Sequence, residues 1–531
     1  MSKINIMNWI SILLISLLAN VSFSRDYHRN GVIFKNGNPV FPIAAWCLTE
    51  QNNSYEMLSR LGLNSVLIRP GQDKKWNALC LNRGLLDTVW SNGLYAIVYF
   101  QELHHLKRYK PNSYPDIISH EVLKYKEHPG LLAWDIIDDG NIAHLPMIMQ
   151  ISNAIKKCDT QHPVVGDIWP REKGHKHWPW TPRFVTSKFK PELDILLQYF
   201  YPAGMPTSAN KLSWNSLQDK TEIYKTGKVF SLEEYYDWLC STVRNYGPIW
   251  TFIQAFTDKR AFKYFGMSPP KGRSGNATGP YPEPEQLRLM TYAAVCSGVK
   301  GVIFFAIGCD SYCQLNDPLV GNENPATMCE ISLLAREMKI CNDFLTIGVP
   351  IELQNVKDKG VIVKLWKLKD NYLLLLLRNS SDSMCYVDSV DVKNLELILP
   401  KEVASKKCVI NISYDIVEPK LRLVLPSTLN ISVMSQSMAI LFTDDEKYAR
   451  RIERKYSDVS AEIAALSLRA AKYQYRKIKD VYGEIGNEIK FRNAEKLFSQ
   501  IEKNIILAEE QFKRKNFLAV ISFQRQIYAC C

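Results

Sequence analysis

Between about residues 29 and 345, short apolar runs alternate with longer segments whose apolar positions recur every three or four residues. The runs are Val40–Cys47, Ser65–Arg69, Tyr95–Phe100, Leu131–Ile137, Val164–Ile168, Ile195–Tyr199, Ile249–Gln254 and Gly301–Ala306. Each has the length of a buried strand. Between them lie stretches with helical periodicity, among them Tyr55–Leu61, Asn82–Asn92, Ile117–Glu127, Leu145–Lys157, Leu232–Asn245 and Pro284–Ser297. Such alternation predicts β-α units around a parallel sheet. Eight units in a segment of this size predict a (β/α)8 TIM barrel over residues 25–345. A doubly wound open sheet is the alternative, but no Gly-rich phosphate loop follows the first strand.

The pattern then changes. Strand-like runs at Gly360–Lys367, Asn371–Arg378, Leu395–Ile398, Lys407–Ile412, Leu421–Leu425 and Met438–Phe442 are joined by Asn, Asp, Ser and Pro turns. A hundred residues of alternation without helices predict a β-sandwich over 346–443. Beyond it, Val459, Ile463, Leu466, Ala470 and Tyr473 step by four and three, the spacing of one helix face. Ala494, Leu497, Ile501, Ile505, Ala508 and Phe512 form a second face, with Gly483 and Gly486 punctuating the gap. Residues 444–531 are therefore expected to be a helical tail.

Composition adds three things. Lys3, the apolar run Ile10–Leu18 and the small residues Ser22 and Ser24 read as a signal peptide over residues 1–24, which implies a secreted or periplasmic, cell-envelope protein. The run is shorter than the roughly 20 residues of a membrane span, and no later segment is apolar enough to cross a bilayer. The net charge is +12, and residues 446–531 hold 18 Lys and Arg against 11 Asp and Glu, a surplus of 7. Such a tail reads either as a solvated helical face or as a contact with an anionic envelope surface or another copy of the chain. The 13 cysteines are odd in number and contain no C-x-x-C pair, so neither a disulfide framework nor a zinc ribbon is expected.

In a (β/α)8 barrel, functional side chains project from the C-terminal ends of the strands. After the first strand stand Trp46 and Glu50, and after the third Gln101, Glu102, His104 and His105. The fourth is followed by Asp138-Asp139, the fifth by Asp167 and Trp169, and the sixth by Tyr199 and Tyr201. The seventh ends in Gln254, and Asp310 follows the eighth. Carboxylates, amides and aromatics on one rim are the groups a carbohydrate site uses, so a carbohydrate ligand is expected and nucleic acid is not. His104-His105 and His175-Lys176-His177 lack a third ligand at metal spacing, so no metal or other cofactor is expected. Glu233 and Glu234 follow Ser231 at a helix start and read as first-turn charges. Asp138 and Asp139 also have a plain structural reading, as caps of a helix beginning near Ile142.

The segment His128-Pro129-Gly130-Leu131-Leu132-Ala133-Trp134-Asp135-Ile136-Ile137-Asp138-Asp139 resembles the fourth-strand signature of clan A glycoside hydrolases. Asn36 to Pro42, Leu61 to Val66, Gly247 to Trp250 and Gly298 to Phe305 are similar, in order, to other barrel landmarks of that clan. The resemblance implies a hydrolase of glycosidic bonds in poly- or oligosaccharides, with Asp139 as general acid and Asp138 as its neighbour. Two positions depart from it. Asp139 stands where the clan has Glu, and Gln254 falls at the nucleophile position, where an amide cannot replace a carboxylate. Three explanations stay open: another carboxylate (Glu102, Asp167, Asp258 or Asp310) partners Asp139; the barrel has kept sugar binding without hydrolysis; or the seventh strand is shifted from this alignment.

Overall fold

A computed structural model describes residues 31–46, 52–68, 71–73, 78–80, 83–100, 114–138, 140, 144–167, 190–199, 232–255, 282, 284–305, 307, 325–351, 353, 360–378, 392–413, 423–425, 428–434, 436–458, 460–485, 494–517, 519–521 and 523. The expected signal segment and the loop histidines at 104, 105, 175 and 177 lie outside them.

The first described element is a hairpin, β1 (Ile33–Lys35) and β2 (Asn38–Val40). Asn36 and Gly37 turn it with φ of 53° and 77°, the left-handed pair that a two-residue hairpin requires. The barrel follows, from β3 (Ile43–Trp46), β4 (Ser65–Ile68), a small hairpin of β5 (Gly71–Asp73) and β6 (Ala78–Cys80), then β7 (Tyr95–Tyr99), β8 (Leu131–Asp135), β9 (Val164–Asp167), β10 (Ile195–Tyr199), β11 (Ile249–Gln254) and β12 (Gly301–Phe305). Setting aside β5 and β6, these strands pair in parallel in chain order, and β12 closes on β3. Helices α1 (Asn52–Arg60), α2 (Arg83–Ser91), α3 (Tyr114–Tyr125), α4 (Leu145–Cys158), α5 (Leu232–Tyr246), α6 (Pro284–Ser297) and α7 (Pro325–Ile347) accompany the strands. The fold is a (β/α)8 barrel.

All eight barrel strands fall inside the runs read from the sequence. Val40–Cys47 is the run that splits. Pro42 offers no N–H to a ladder, and Asn342 of α7 accepts from the Phe41 N–H at 2.7 Å and donates to the Pro39 carbonyl at 2.8 Å. The chain therefore leaves the hairpin before it enters the barrel. Ile33 and Val40 of that hairpin join the inner-barrel cluster with Ala44, Leu132, Ile195 and Trp250, so the hairpin contributes to the barrel's inner core.

Near that hairpin runs a buried polar chain. Lys35 Nζ lies 2.9 Å from His162 Nε2, and His162 Nδ1 lies 2.8 Å from Asp159 Oδ2. The same carboxylate oxygen accepts from the Trp134 indole N–H at 2.8 Å, while Oδ1 accepts the Gln161 and His162 backbone N–H groups. Burial alone would raise the Asp159 carboxyl, but hydrogen bonds from His162, Trp134 and Gln161 outweigh it and hold it from 3.8 down to about 2. A carboxyl depressed in the folded state contributes stability above its unfolded value, and that contribution disappears as pH falls through the folded value. Asp159→Asn should therefore cost about 2 kcal/mol near neutrality, and the difference from wild type should shrink between about pH 4 and pH 2. Urea titrations across that range check this.

The second unit has two sheets. One is the order β13-β14-β15-β20-β17, built from β13 (Val349–Ile351), β14 (Val361–Leu368), β15 (Asn371–Arg378), β17 (Cys408–Asn411) and β20 (Ser437–Thr443). The other is β16-β19-β18, from β16 (Val392–Ile398), β18 (Leu423–Leu425) and β19 (Thr428–Met434). A four-residue helix, α8 (Lys401–Ala404), sits between β16 and β17. Leu374, Leu376, Ile440 and Phe442 of the first sheet share a core with Leu395, Leu397, Leu429 and Ile431 of the second, as in a sandwich.

The opposite face of the first sheet is also covered. Leu373, Leu375, Leu377, Ala439 and Leu441 belong to the cluster that includes α6 and α7 of the barrel. Two covered faces account for the unbroken Leu373–Leu377 run, because alternation is a property of strands with one wet face. At this junction Arg288 of α6 donates to Glu330 Oε1 at 2.7 Å and to both oxygens of Glu337 at 2.9 and 3.0 Å, all with fully buried side chains.

The tail comprises α9 (Glu446–Asp458), α10 (Ser460–Ile485) and α11 (Ala494–Lys513). Ile463, Ala464 and Ala470 of α10 and Ala508 of α11 cluster with Ala326, Cys329 and Leu333 of α7. Gly483, expected to punctuate, lies inside α10, and Leu497 of the second expected face is exposed. Among the described residues no helix is long and apolar enough to cross a membrane. Cys158, Cys240, Cys296, Cys341 and Cys408 are free thiols.

Candidate active site at the barrel mouth

A strand's side chains alternate between faces, so inner positions can be read by parity from the inner-barrel cluster. Ala44 and Trp46 on β3 belong to that cluster, as do Ile97 and Tyr99 on β7, Ala133 on β8, Val165 on β9, Ile195 and Leu197 on β10, Trp250 and Phe252 on β11, and Ile303 on β12. Carried forward, the same parity turns Asp135, Asp167, Tyr199, Gln254 and Phe305 inward. The last residue of every barrel strand except β4 therefore faces the axis. Those residues are Trp46, Tyr99, Asp135, Asp167, Tyr199, Gln254 and Phe305. Because the strands are parallel, they all gather at the C-terminal mouth.

The aromatic members form a packed floor. Trp46 lies with ring centroids 5.2 Å from Tyr99, 5.2 Å from Phe305 and 5.6 Å from Phe252. Phe252 also meets Phe305 at 5.9 Å and Tyr199 at 6.4 Å. These are edge-on or tilted contacts, the arrangements that ring quadrupoles favour. Trp46 is 3% exposed, so it is a structural part of the floor, whereas Tyr199 is partly exposed.

Polar groups stand beside this floor. Gln254 is 1% exposed, pairs with Phe305 across β11 and β12, and is the seventh-strand terminus that the sequence alignment gave it. The seventh strand thus has the bounds read from the sequence. Asp167 is 2% exposed, and its backbone ties down the segment after β8. Its N–H donates to the Ile137 carbonyl at 2.8 Å, and its carbonyl accepts from the Gly140 N–H at 2.9 Å. Asp138, between those two anchors, is half-buried at the rim. The following helix is described from seven residues further on. That helix, α4, starts at Leu145 after His144, with Pro146 in its first turn and no side-chain cap.

Asp135 escaped the sequence reading because the apolar run continues through Ile136 and Ile137 and so places the Asp138-Asp139 pair at its end. Its signal was parity with Ala133, two residues earlier. The register shift between Ala96 and Ile97 hid that parity, since it lets both Leu132 and Ala133 reach the inner cluster. Burial raises the Asp135 carboxyl well above the ordinary carboxylate range, and the Asp138 charge adds to this, against the Ile137 N–H. Trp134, the tryptophan of the fourth-strand motif, faces the other way. It stacks on Phe100 at 5.4 Å in the outer layer and bonds Asp159, away from the mouth. Asp139, Glu50, Glu102, Trp169, Tyr201, Asp258 and Asp310 lie outside the described residues. Among the described residues no group of three His, Cys, Asp or Glu could hold a metal ion.

No family model matches the chain, and no curated protein matches it. Solved structures similar to it include a glycoside hydrolase at 12% identity, TM-score 0.47, covering 78% of this chain and 95% of that one. A glycoside hydrolase family 5 protein from Bacteroides vulgatus is similar at 12% identity and TM-score 0.46, covering 79% and 95%. A GH30 endoxylanase from Clostridium papyrosolvens is similar at 9% identity and TM-score 0.42, covering 76% and 96%. The barrel assignment itself rests on the closed parallel sheet.

Proposed function

We propose that this chain hydrolyses glycosidic bonds in a poly- or oligosaccharide at the barrel mouth, with Asp139 as general acid and Asp138 positioning it or a sugar hydroxyl. The observation that carries the reading is the ring of inward strand ends, in which buried carboxyls at Asp135 and Asp167 stand beside an aromatic floor. Carboxyl groups supply proton transfer, and aromatic faces suit the apolar faces of pyranose rings. Gln254 offers no carboxylate, so a covalent glycosyl-enzyme on that residue is chemically closed. A different carboxylate would partner Asp139, and at a separation of about 6.5–9.5 Å it would activate a water for direct attack.

The test is turnover of aryl glycosides and natural glycans by wild type and Asp139→Asn. Hydrolysis that disappears in the variant is the expected result. A second reading is favoured by the buried amide of Gln254: a barrel that binds carbohydrate without cleaving it. Glycan binding with no hydrolysis by either protein would establish that reading and sink the first. Export to the envelope or medium belongs to the same proposal and is supported by Lys3, the Ile10–Leu18 run and Ser22-Phe23-Ser24. Cell fractionation with N-terminal sequencing tests it, with Arg25 the expected first residue. Contact of the basic tail with the envelope or a second copy is tested by fractionation and oligomeric state after charge reversal on exposed Arg450 and Arg454.

A further inference from the structure

One buried carboxyl of the strand-end ring is distinct from the Asp138-Asp139 pair. Asp135 ends β8, opposite Tyr99 on β7 and Val165 on β9, with its side chain on the inner parity. It is 1% exposed. Its Oδ1 accepts a long bond from the Ile137 N–H at 3.4 Å, and its buried Oδ2 has no hydrogen-bond partner.

The titratable groups on the packed elements are Tyr99 on β7, Asp167 on β9 and Asp138 at the rim. None of them is a cation. With no cation beside it among the described residues, a carboxylate there would be a buried charge with one poor donor, and proteins meet that situation by keeping the group neutral. The nearby negative charge of Asp138 favours the same outcome.

We propose that Asp135 remains a protonated carboxylic acid at neutral pH, buried beneath the barrel mouth, with Asp138 the ionised member of the pair. Two carboxyls three residues apart are thus divided by environment, one buried and neutral, one at the rim and charged. The role this gives Asp135 in catalysis rests on the hydrolase reading. Its protonation leaves Asp138 as the negative charge that orients the general acid, while the Asp135 carboxyl itself stays beneath the surface of the mouth. Asp135 is in that sense a positioning residue. Asp135→Asn keeps a neutral donor of the same shape.

Infrared spectroscopy of the full chain reads the proton directly. Wild type at neutral pH should show the band of a protonated carboxyl, and Asp135→Asn should lack it. Asp138→Asn should keep the band but lose it at a lower pH than wild type, because one of the two causes is gone. Stability gives a second readout. A carboxyl raised in the folded state contributes fully below its unfolded value of 3.8, and that contribution is lost as pH rises toward the folded value. The Tm of Asp135→Asn relative to wild type should therefore climb as pH rises above about 4.

A band that survives Asp135→Asn, or a Tm difference that is flat with pH, overturns the assignment. An unchanged titration in Asp138→Asn overturns the pairing. If Asp135→Asn fails to fold, the Asp138→Asn titration still decides the matter. Neither readout needs a substrate, so a barrel without glycoside turnover would leave the location of the proton intact.

Discussion

Replacing Arg288 with leucine should cost about 3–5 kcal/mol of unfolding free energy. The guanidinium donates its Nε to Glu330 at 2.7 Å and grips Glu337 with two nitrogens at 2.9 and 3.0 Å, with none of the three side chains exposed. Tyr292 adds a hydroxyl donor to Glu337 at 2.6 Å, and Ser437 on β20 lies 3.4 Å from the guanidinium. The leucine variant would leave two carboxylates in an apolar seam with no cation between them. Denaturant titration should show a lower midpoint at an unchanged slope. Replacing Arg288, Glu330 and Glu337 together by apolar residues of similar volume should recover much of the loss, because the charges are then removed in company. A triple variant as unstable as the single one would show that packing, and not stranded charge, sets the cost.

The second large effect is a matched pair. Leu374→Ala and Leu375→Ala should each cost about 2–5 kcal/mol, although adjacent residues on a strand face opposite ways. Leu374 faces the sandwich core with Leu397 and Ile440, and Leu375 faces the barrel cluster with Leu441. Both are fully buried. In a sheet with one wet face, one of the two substitutions would fall within about 0.5 kcal/mol of neutral. Calorimetry of the two variants should also show one shared transition, since the Leu375 cavity opens between barrel and sandwich.

The sequence disclosed the strands better than the helix that ties them together. Barrel strands were legible because each is a short apolar run bounded by turns, and Ile195–Tyr199 and Ile249–Gln254 match residue for residue. β19 was missed because it follows β18 almost at once, so two short strands merged into loop-like sequence. β13 has three residues and a proline at its centre. The helix α7 was missed for a different reason. Helical periodicity shows where one face is wet, and Ala326 to Met338 are buried on every side, beneath barrel, sandwich and tail. At the mouth, Trp46, Asp167, Tyr199 and Gln254 were legible because they end strands. Asp135 was not, because a register shift blurred the parity that would have turned it inward.

That helix also bears on how the chain can be divided. Composition changes near residues 345 and 443, which invites cutting the protein into three pieces. Arg336 speaks against it, since its guanidinium reaches the carbonyls of Arg60 and Leu61 on the barrel and the carboxylate of Glu462 on the tail. Asn342, one turn and a half further along, clamps the turn between hairpin and first barrel strand. A gene fragment ending at either composition change would present bare apolar seams and severed ion pairs to water. Sandwich and helices are thus built into the barrel's outer wall and are not appended to it.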